Sequence, residues 1–177
     1  VLGLEMGLDF NHIKAGISTY TGVRRRFDIK GIHKDIMVVD DYAHHPSEVD
    51  ATLKAAKSGW DRRIIAVFQP HLFSRTRDFF REFAKSLNTA DKVVLTEIYP
   101  ARENPIPGVT ARMIYDECEK IKPGNCYYVP DLDDLSEMLD MIANSGDMII
   151  LMGAGNIWRY SESYTKRLES YSIGVKD

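Results

Sequence analysis

Short apolar runs alternate with stretches of helical spacing from residue 36 almost to the C-terminus. Ile36-Met37-Val38-Val39, Ile64-Ile65-Ala66-Val67-Phe68, Val93-Val94-Leu95, Cys126-Tyr127-Tyr128-Val129 and Met148-Ile149-Ile150-Leu151-Met152 read as buried strands. Between them, apolar residues recur three or four apart: Val49, Leu53 and Ala56; Phe79, Phe80, Phe83, Ala84 and Leu87; Met113, Ile114 and Cys118; Leu132, Leu135, Leu139 and Ile142. That spacing predicts helices, and a last one runs from about Ile157 to Leu168. Pro105, Pro107 and Gly108 make 101–109 a loop. Continuous apolar strands alternating with helices predict an α/β fold, Rossmann-like, with a mostly parallel sheet covered on both faces in three α/β/α layers. Residues 1–28 read differently. Phe10, Ile13 and Ile17 mark a short amphipathic helix, and Gly22 followed by Arg24-Arg25-Arg26 breaks it. This segment is expected to be the tail of an upstream domain with a linker, and 29–177 a domain of its own. Residues 22–34, with two glycines, are expected to act as a hinge.

The polar residues gather where strands end. The first strand runs into Asp40-Asp41-Tyr42-Ala43-His44-His45-Pro46, the second into Gln69-Pro70-His71-Leu72-Phe73-Ser74-Arg75-Thr76-Arg77, the third into Glu97 and Tyr99, and the last into Gly153-Ala154-Gly155-Asn156. In a parallel sheet these ends share one rim, where open α/β sheets bind ligands. Arginine forks such as Arg75 and Arg77, expected just before a helix, match carboxylates and phosphates. Asp41 can accept both hydroxyls of a ribose or cap a helix. His44 and His45 can serve as base, donor or metal ligand. The glycine turn can offer N–H groups to an anion, although tight turns need glycine anyway.

Composition narrows the field. The 177 residues are 44% hydrophobic and 28% charged, the balance of a folded globular domain. A net charge of −3 gives no general case for nucleic acid or an anionic membrane. No apolar run approaches the roughly 18 residues of a membrane span. The N-terminus lacks a signal peptide's pattern and does not begin with Met, so the chain is expected to be cut from a longer one. Cys118 and Cys126 read as free thiols in a reducing, cytoplasmic setting.

The strings themselves resemble a known family. Val39-Asp40-Asp41-Tyr42-Ala43-His44-His45-Pro46-Ser47-Glu48-Val49, Phe68-Gln69-Pro70-His71 with Ser74-Arg75-Thr76-Arg77, Glu97-Ile98-Tyr99-Pro100-Ala101-Arg102-Glu103 and Gly153-Ala154-Gly155-Asn156-Ile157 are similar, in order, to motifs of the Mur ligase C-terminal domain. Gly22-Val23-Arg24-Arg25-Arg26-Phe27-Asp28 resembles the hinge after that family's central ATP-binding domain, so 1–28 would be the end of that domain. The resemblance implies a cytoplasmic, ATP- and Mg2+-dependent ligase of peptidoglycan synthesis that joins L-alanine to UDP-N-acetylmuramate through an acyl phosphate. By it, Arg26 and Asp41 would bind the nucleotide, at its phosphates and ribose. Tyr42, His44, His71, Arg75 and Asn156 would bind substrate. Leu72 stands where relatives often carry arginine, and Ala43 where they often carry glycine.

No G-x-x-x-x-G-K-[ST] string occurs, so ATP and Mg2+ would be held mainly by upstream domains and this chain should not catalyse alone. Other readings are weaker. A phosphoacceptor receiver would need an aspartate ending its third strand and a lysine after its fifth; Thr96-Glu97 and Gly153-Ala154 stand there. A metal-dependent hydrolase built on Asp41, His44 and His45 would need adjacent histidines to aim at one ion. A sister ligase that attaches a recycled tripeptide to the same sugar shares the Asp-Asp and His-His-Pro features.

Overall fold

The computed structural model describes residues 2–19 and 22–173; Val1, Tyr20, Thr21 and 174–177, parts of the two expected domains, lie outside the described residues. Two short helices come first, α1 (Leu2–Glu5) and α2 (Phe10–Ser18), the second capped by Asp9, whose carboxylate accepts from Asn11 N at 2.9 Å. Neither has a buried residue.

The rest forms a six-stranded sheet in the order β1-β2-β6-β3-β4-β5. The strands are β1 (Asp28–His33), β2 (Ile36–Asp41), β3 (Arg63–Phe68), β4 (Lys92–Leu95), β5 (Cys126–Tyr128) and β6 (Asp147–Met152). All pairings are parallel except β1 with β2. Helices α3 (Pro46–Gly59), α4 (Phe73–Leu87) and α5 (Arg112–Ile121) cover one face. On that side Val49, Leu53, Phe83, Leu87 and Ile114 pack against Val39, Ala66, Phe68 and Ile150. The alternate strand residues, among them Val38, Ile65, Val67, Ile149 and Leu151, face α6 (Leu135–Ile142) and α7 (Trp158–Ile173). Because successive strand side chains point to opposite faces, a strand buried on both sides must be apolar throughout. The three-layer expectation therefore holds.

Three details differ from the sequence reading. Part of the expected hinge, 28–33, is the antiparallel edge strand β1. Its signal is faint because Ile29 and Ile32 stay about half exposed and the turn at Lys34 and Asp35 (φ 52 and 59°) lacks the usual Asn-Gly or Asp-Gly. Second, α4 begins at Phe73, so Arg75 and Arg77 sit inside its first turns and not before them. Leu72 O accepts both Thr76 N and Thr76 Oγ1, which winds the helix ahead of the apolar repeat, and the non-helical Phe79 (φ −127°, ψ 15°) marks the join. Third, a 3-10 turn over Leu132–Asp134 precedes α6.

At the end of the sheet away from the rim, Asp147 is 2% exposed and pairs with Arg63 at 2.6 Å while accepting Asn144 N at 2.7 Å. Asp147→Ala strands a guanidinium and an amide at once. Its expected cost is about 2–3 kcal/mol, below that of a fully buried pair because Arg63 is partly exposed. Urea unfolding of this chain measures it, and a loss under about 0.5 kcal/mol would mean that the pair does not secure β3 to β6.

Candidate functional site

The carboxyl ends of β2, β3, β4 and β6 meet at one rim, and short polar contacts fix each loop there. Asp41 ends β2 at 5% exposure. Its two oxygens accept Ala43 N and Phe27 N, each at 2.8 Å, so the carboxylate is spent on shaping the turn and clamping the segment before β1. Tyr42 N donates to Arg25 O at 2.8 Å, a second clamp on that segment. Glu48, three residues into α3, accepts His44 N and His45 N at 3.0 and 3.1 Å. Burial opposes its charge, but those amides and the neighbouring His44 and Arg26 hold Glu48 below the usual carboxylate range.

His44 Nδ1 lies 2.9 Å from Tyr42 O, a contact that requires the proton on Nδ1. That leaves Nε2 as the atom free to meet a ligand. The His44 ring lies 6.1 Å from that of His71, which stacks on Tyr99 at 5.8 Å and 14°. Arg75 reaches over from α4, with Nη1 at 3.5 Å from both His71 Nδ1 and His44 O. Among the described residues no carboxylate lies within ion-pair distance of Arg75, so its fork is uncommitted. Burial, Arg75 and His44 together push the His71 pKa down, so His71 is neutral at neutral pH.

Leu72, between His71 and α4, takes φ 74°, a region L residues rarely adopt. Leu72 N donates to Tyr99 O at 3.0 Å, which holds the bend beneath the two rings. Glu103 accepts Ser74 N and Ser74 Oγ at 3.0 and 2.5 Å and pins the 101–109 loop to the start of α4. Glu97 accepts Ile98 N, Ala111 N and the Tyr128 hydroxyl, so it braces the loop and does not face the rim's open side.

The turn after β6 depends on two glycines. A Cβ on Gly153 (φ 151°) would meet Gln69 O at 2.8 Å, and one on Gly155 would meet Tyr99 Cγ at 2.6 Å. Buried Gln69 donates Nε2 to Asn156 Oδ1 at 2.9 Å and accepts Ile157 N at 3.2 Å, fastening the turn to β3. Asn156 is thereby a brace of the turn with its oxygen already engaged.

Tyr42, His44, His71 and Arg75 thus come together with Tyr99 as one cluster, Asn156 is held by Gln69, and Arg26 lies in the segment that Asp41 clamps. The Arg26 side chain is 54% exposed, with Nη1 4.0 Å from Glu48 and the guanidinium 5.6 Å from the Tyr42 ring, free to take an anion. Arg77 pairs with Asp78 instead. Gln69, Glu48 and Arg25 carry much of the scaffold and were not singled out as site residues from sequence. Gln69 had a signal, a polar residue closing an apolar strand. Among the described residues no three His, Cys, Asp or Glu side chains gather to hold a metal ion.

The profile of one family, described as "Mur ligase, glutamate ligase domain", matches residues 25–155. A UDP-N-acetylmuramate–L-alanine ligase of Salinibacter ruber is 47% identical over 170 residues, 96% of this chain and 36% of that protein. Its counterpart in Acetivibrio thermocellus is 45% identical over 170 residues, 95% of this chain and 36% of its own length. Among solved structures, UDP-N-acetylmuramate-alanine ligase of Thermotoga maritima superposes with TM-score 0.80 at 30% identity, over 96% of this chain and 36% of that one. Murein peptide ligase of Psychrobacter arcticus reaches 0.67 at 26% identity, over 92% and 33%. The chain spans little more than a third of the length of these relatives.

Next to Asp41, Asp40 is 1% exposed. Burial pushes its pKa up to about 6, against the pull of Arg25 and Lys30 and with help from Asp28 and Asp41. The folded chain therefore holds this proton more tightly than the unfolded chain. Stability from this group is full below about pH 4 and is lost as pH rises through about 6, by ~3 kcal/mol at most. Asp40→Asn should flatten that slope and raise the melting temperature at pH 7.5 more than at pH 4. Equal shifts at both pH values would mean that Asp40 ionises normally.

Proposed function

The chain belongs to the Mur ligase family through its glutamate ligase domain, and from that premise we propose that it is the closing domain of an ATP-dependent ligase that joins L-alanine to UDP-N-acetylmuramate in the cytoplasm. The observation that carries this reading is the rim cluster, in which two imidazoles, two phenol rings and a guanidinium without a carboxylate partner lie against one another. Arg75 suits the carboxylate of an amino acid, which a fork binds through two parallel hydrogen bonds. Neutral His71 can accept a proton from the amino group, which must lose one before it attacks. Tyr42 and Tyr99 give the cluster flat, rigid walls.

At the other side of Tyr42, exposed Arg26 is the residue for nucleotide phosphates. Asp41, nearly buried and bonded to two main-chain amides, serves the nucleotide end chiefly by holding the Arg26 segment in place. Any ribose contact would use its remaining lone pairs. When bound, ATP supplies the phosphoryl group that activates the sugar's carboxylate. The chain's own residues then orient the amine and shield it from water. Holding of ATP and Mg2+, and of the UDP-sugar, falls mainly to the upstream domains. No helix among the described residues is long and apolar enough to cross a membrane.

Rejoining this chain to its upstream sequence should give ADP release that depends on both UDP-N-acetylmuramate and L-alanine, while the 177-residue chain alone should release none. Turnover with a tripeptide but not L-alanine would move the protein to the recycling branch of the family, and turnover with neither would end the ligase reading. In the rejoined enzyme, Arg75→Ala should lower kcat/KM for the amino acid about 10- to 100-fold, the worth of hydrogen bonds to a charged group. Unchanged kinetics would remove Arg75 from the site.

A further inference from the structure

Two buried polar atoms beside the rim, Arg25 Nε and Asp40 Oδ1, lack hydrogen-bond partners. They belong to one contact, since Arg25 Nε lies 3.4 Å from Asp40's other oxygen. The same guanidinium donates Nη2 to Gly153 O at 2.6 Å and lies 4.7 Å over the Tyr42 ring. One side chain thus touches the end of β2, the glycine turn after β6 and a wall of the rim cluster.

Its backbone is equally constrained. Arg25 and Phe27 both take left-handed conformations (φ 60 and 48°), which cost L residues of order 1 kcal/mol or more each. They are held by Arg25 N to Asp28 at 3.4 Å, Phe27 N to Asp41 at 2.8 Å and Tyr42 N to Arg25 O at 2.8 Å. A strained segment restrained by a few side chains is one that can exchange between two arrangements.

Buried polar atoms rarely go without partners. Here the ion pair is made with one oxygen at a long distance, and a small rotation of either side chain would engage the idle atoms. We propose that Arg25 is a positioning residue: it couples the 22–27 segment to the Gly153–Asn156 turn through Asp40, so that movement of the segment resets the turn facing the ligand. The coupling to catalysis rests on the ligase reading given above; the coupling within the chain does not.

The charges around Asp40 fit a contact that must stay responsive. Asp41 adjoins it on β2, while β1 contributes Asp28 and Lys30. Lys30 Nζ lies 3.3 Å from Asp28 and 3.5 Å from Glu162 on α7. Asp28, Lys30, Asp40 and Glu162, with Arg25 and Trp158, line a cavity of about 340 Å3 that gives the side chains room to move. Neutral Asp40 has no ionic hold on Arg25, so acid should loosen the joint.

Amide hydrogen exchange of Gly153 and Ile157, which donate to Asp41 O and Gln69 Oε1 at 3.2 Å each, reads the joint directly in this chain. Corrected for intrinsic rates, it should be slower at pH 7.5 than at pH 5. Arg25→Ala should speed it roughly tenfold at pH 7.5, the worth of one hydrogen bond to a charged group. Asp40→Asn should give the wild-type pH 5 value at both pH values, and Arg25→Lys should fall between wild type and Arg25→Ala. Exchange indifferent to Arg25→Ala, or Asp40→Asn retaining the wild-type pH response, would overturn the proposal. In the rejoined ligase, Arg25→Ala should lower kcat about tenfold with KM for ATP little changed, and Asp40→Asn should remove the part of the acid limb near pH 6. A matching rise in KM for ATP would make Arg25 a nucleotide contact and reject the positioning role. An inactive wild-type ligase would reject the functional reading alone, with the exchange data still deciding the joint.

Discussion

The last strand to be made, β6, lies between β2 and β3 and pairs parallel with both. Parallel neighbours must run the same way, so this single insertion forces the loops after Asp41, Phe68 and Met152 onto one rim. Gln69 N donates to Met152 O at 3.0 Å and Gly153 N to Asp41 O at 3.2 Å, carrying the pairing beyond the strands into the loops themselves. Residues more than a hundred positions apart become neighbours only when β6 docks. A sheet whose central strand comes last has high contact order, and its site cannot form ahead of its core.

The strands buried on both faces were legible because nothing but apolar residues can occupy them. The segments read least well were those whose stability comes from elsewhere. The edge strand β1 presents Ile29 and Ile32 to solvent and turns through Lys34 and Asp35, so neither its alternation nor its turn chemistry announces a hairpin. Its partner β2 supplies the ladder, and α7 packs so closely that a Cβ on Gly31 would meet Thr165 Cγ2 at 2.8 Å. The first turns of α4 were missed for a related reason. Phe73 packs with Ile98 and Val109, a small cluster away from the main core, so the periodic stripe begins only near Phe79.

For the site, sequence reading found residue types and their convergence, and missed the division of labour among them. Asp40 and Asp41 are adjacent and chemically identical, yet Asp41 accepts two main-chain amides and Asp40 is buried beside a guanidinium. Arg24, Arg25 and Arg26 differ in the same way: Arg25 turns inward and Arg26 outward. A run of like residues carries no mark of which member is which, because the left-handed backbone that separates them is imposed by contacts from β1 and β2.

That division explains why charges are buried at the joint at all. Ionised Asp40 is worse for the fold than neutral Asp40, the direction in which burial moves its pKa, and an apolar residue in its place would leave Arg25 without its carboxylate. A buried ion pair contributes little to stability but responds steeply to geometry, because its energy changes with every fraction of an ångström in a medium poor in water. Placed between the 22–27 segment and the glycine turn, it converts a small displacement into a large change in energy. The rim cluster, by contrast, is built from packed rings and from loops pinned by Glu48 and Glu103, and it is suited to hold its shape while the joint moves.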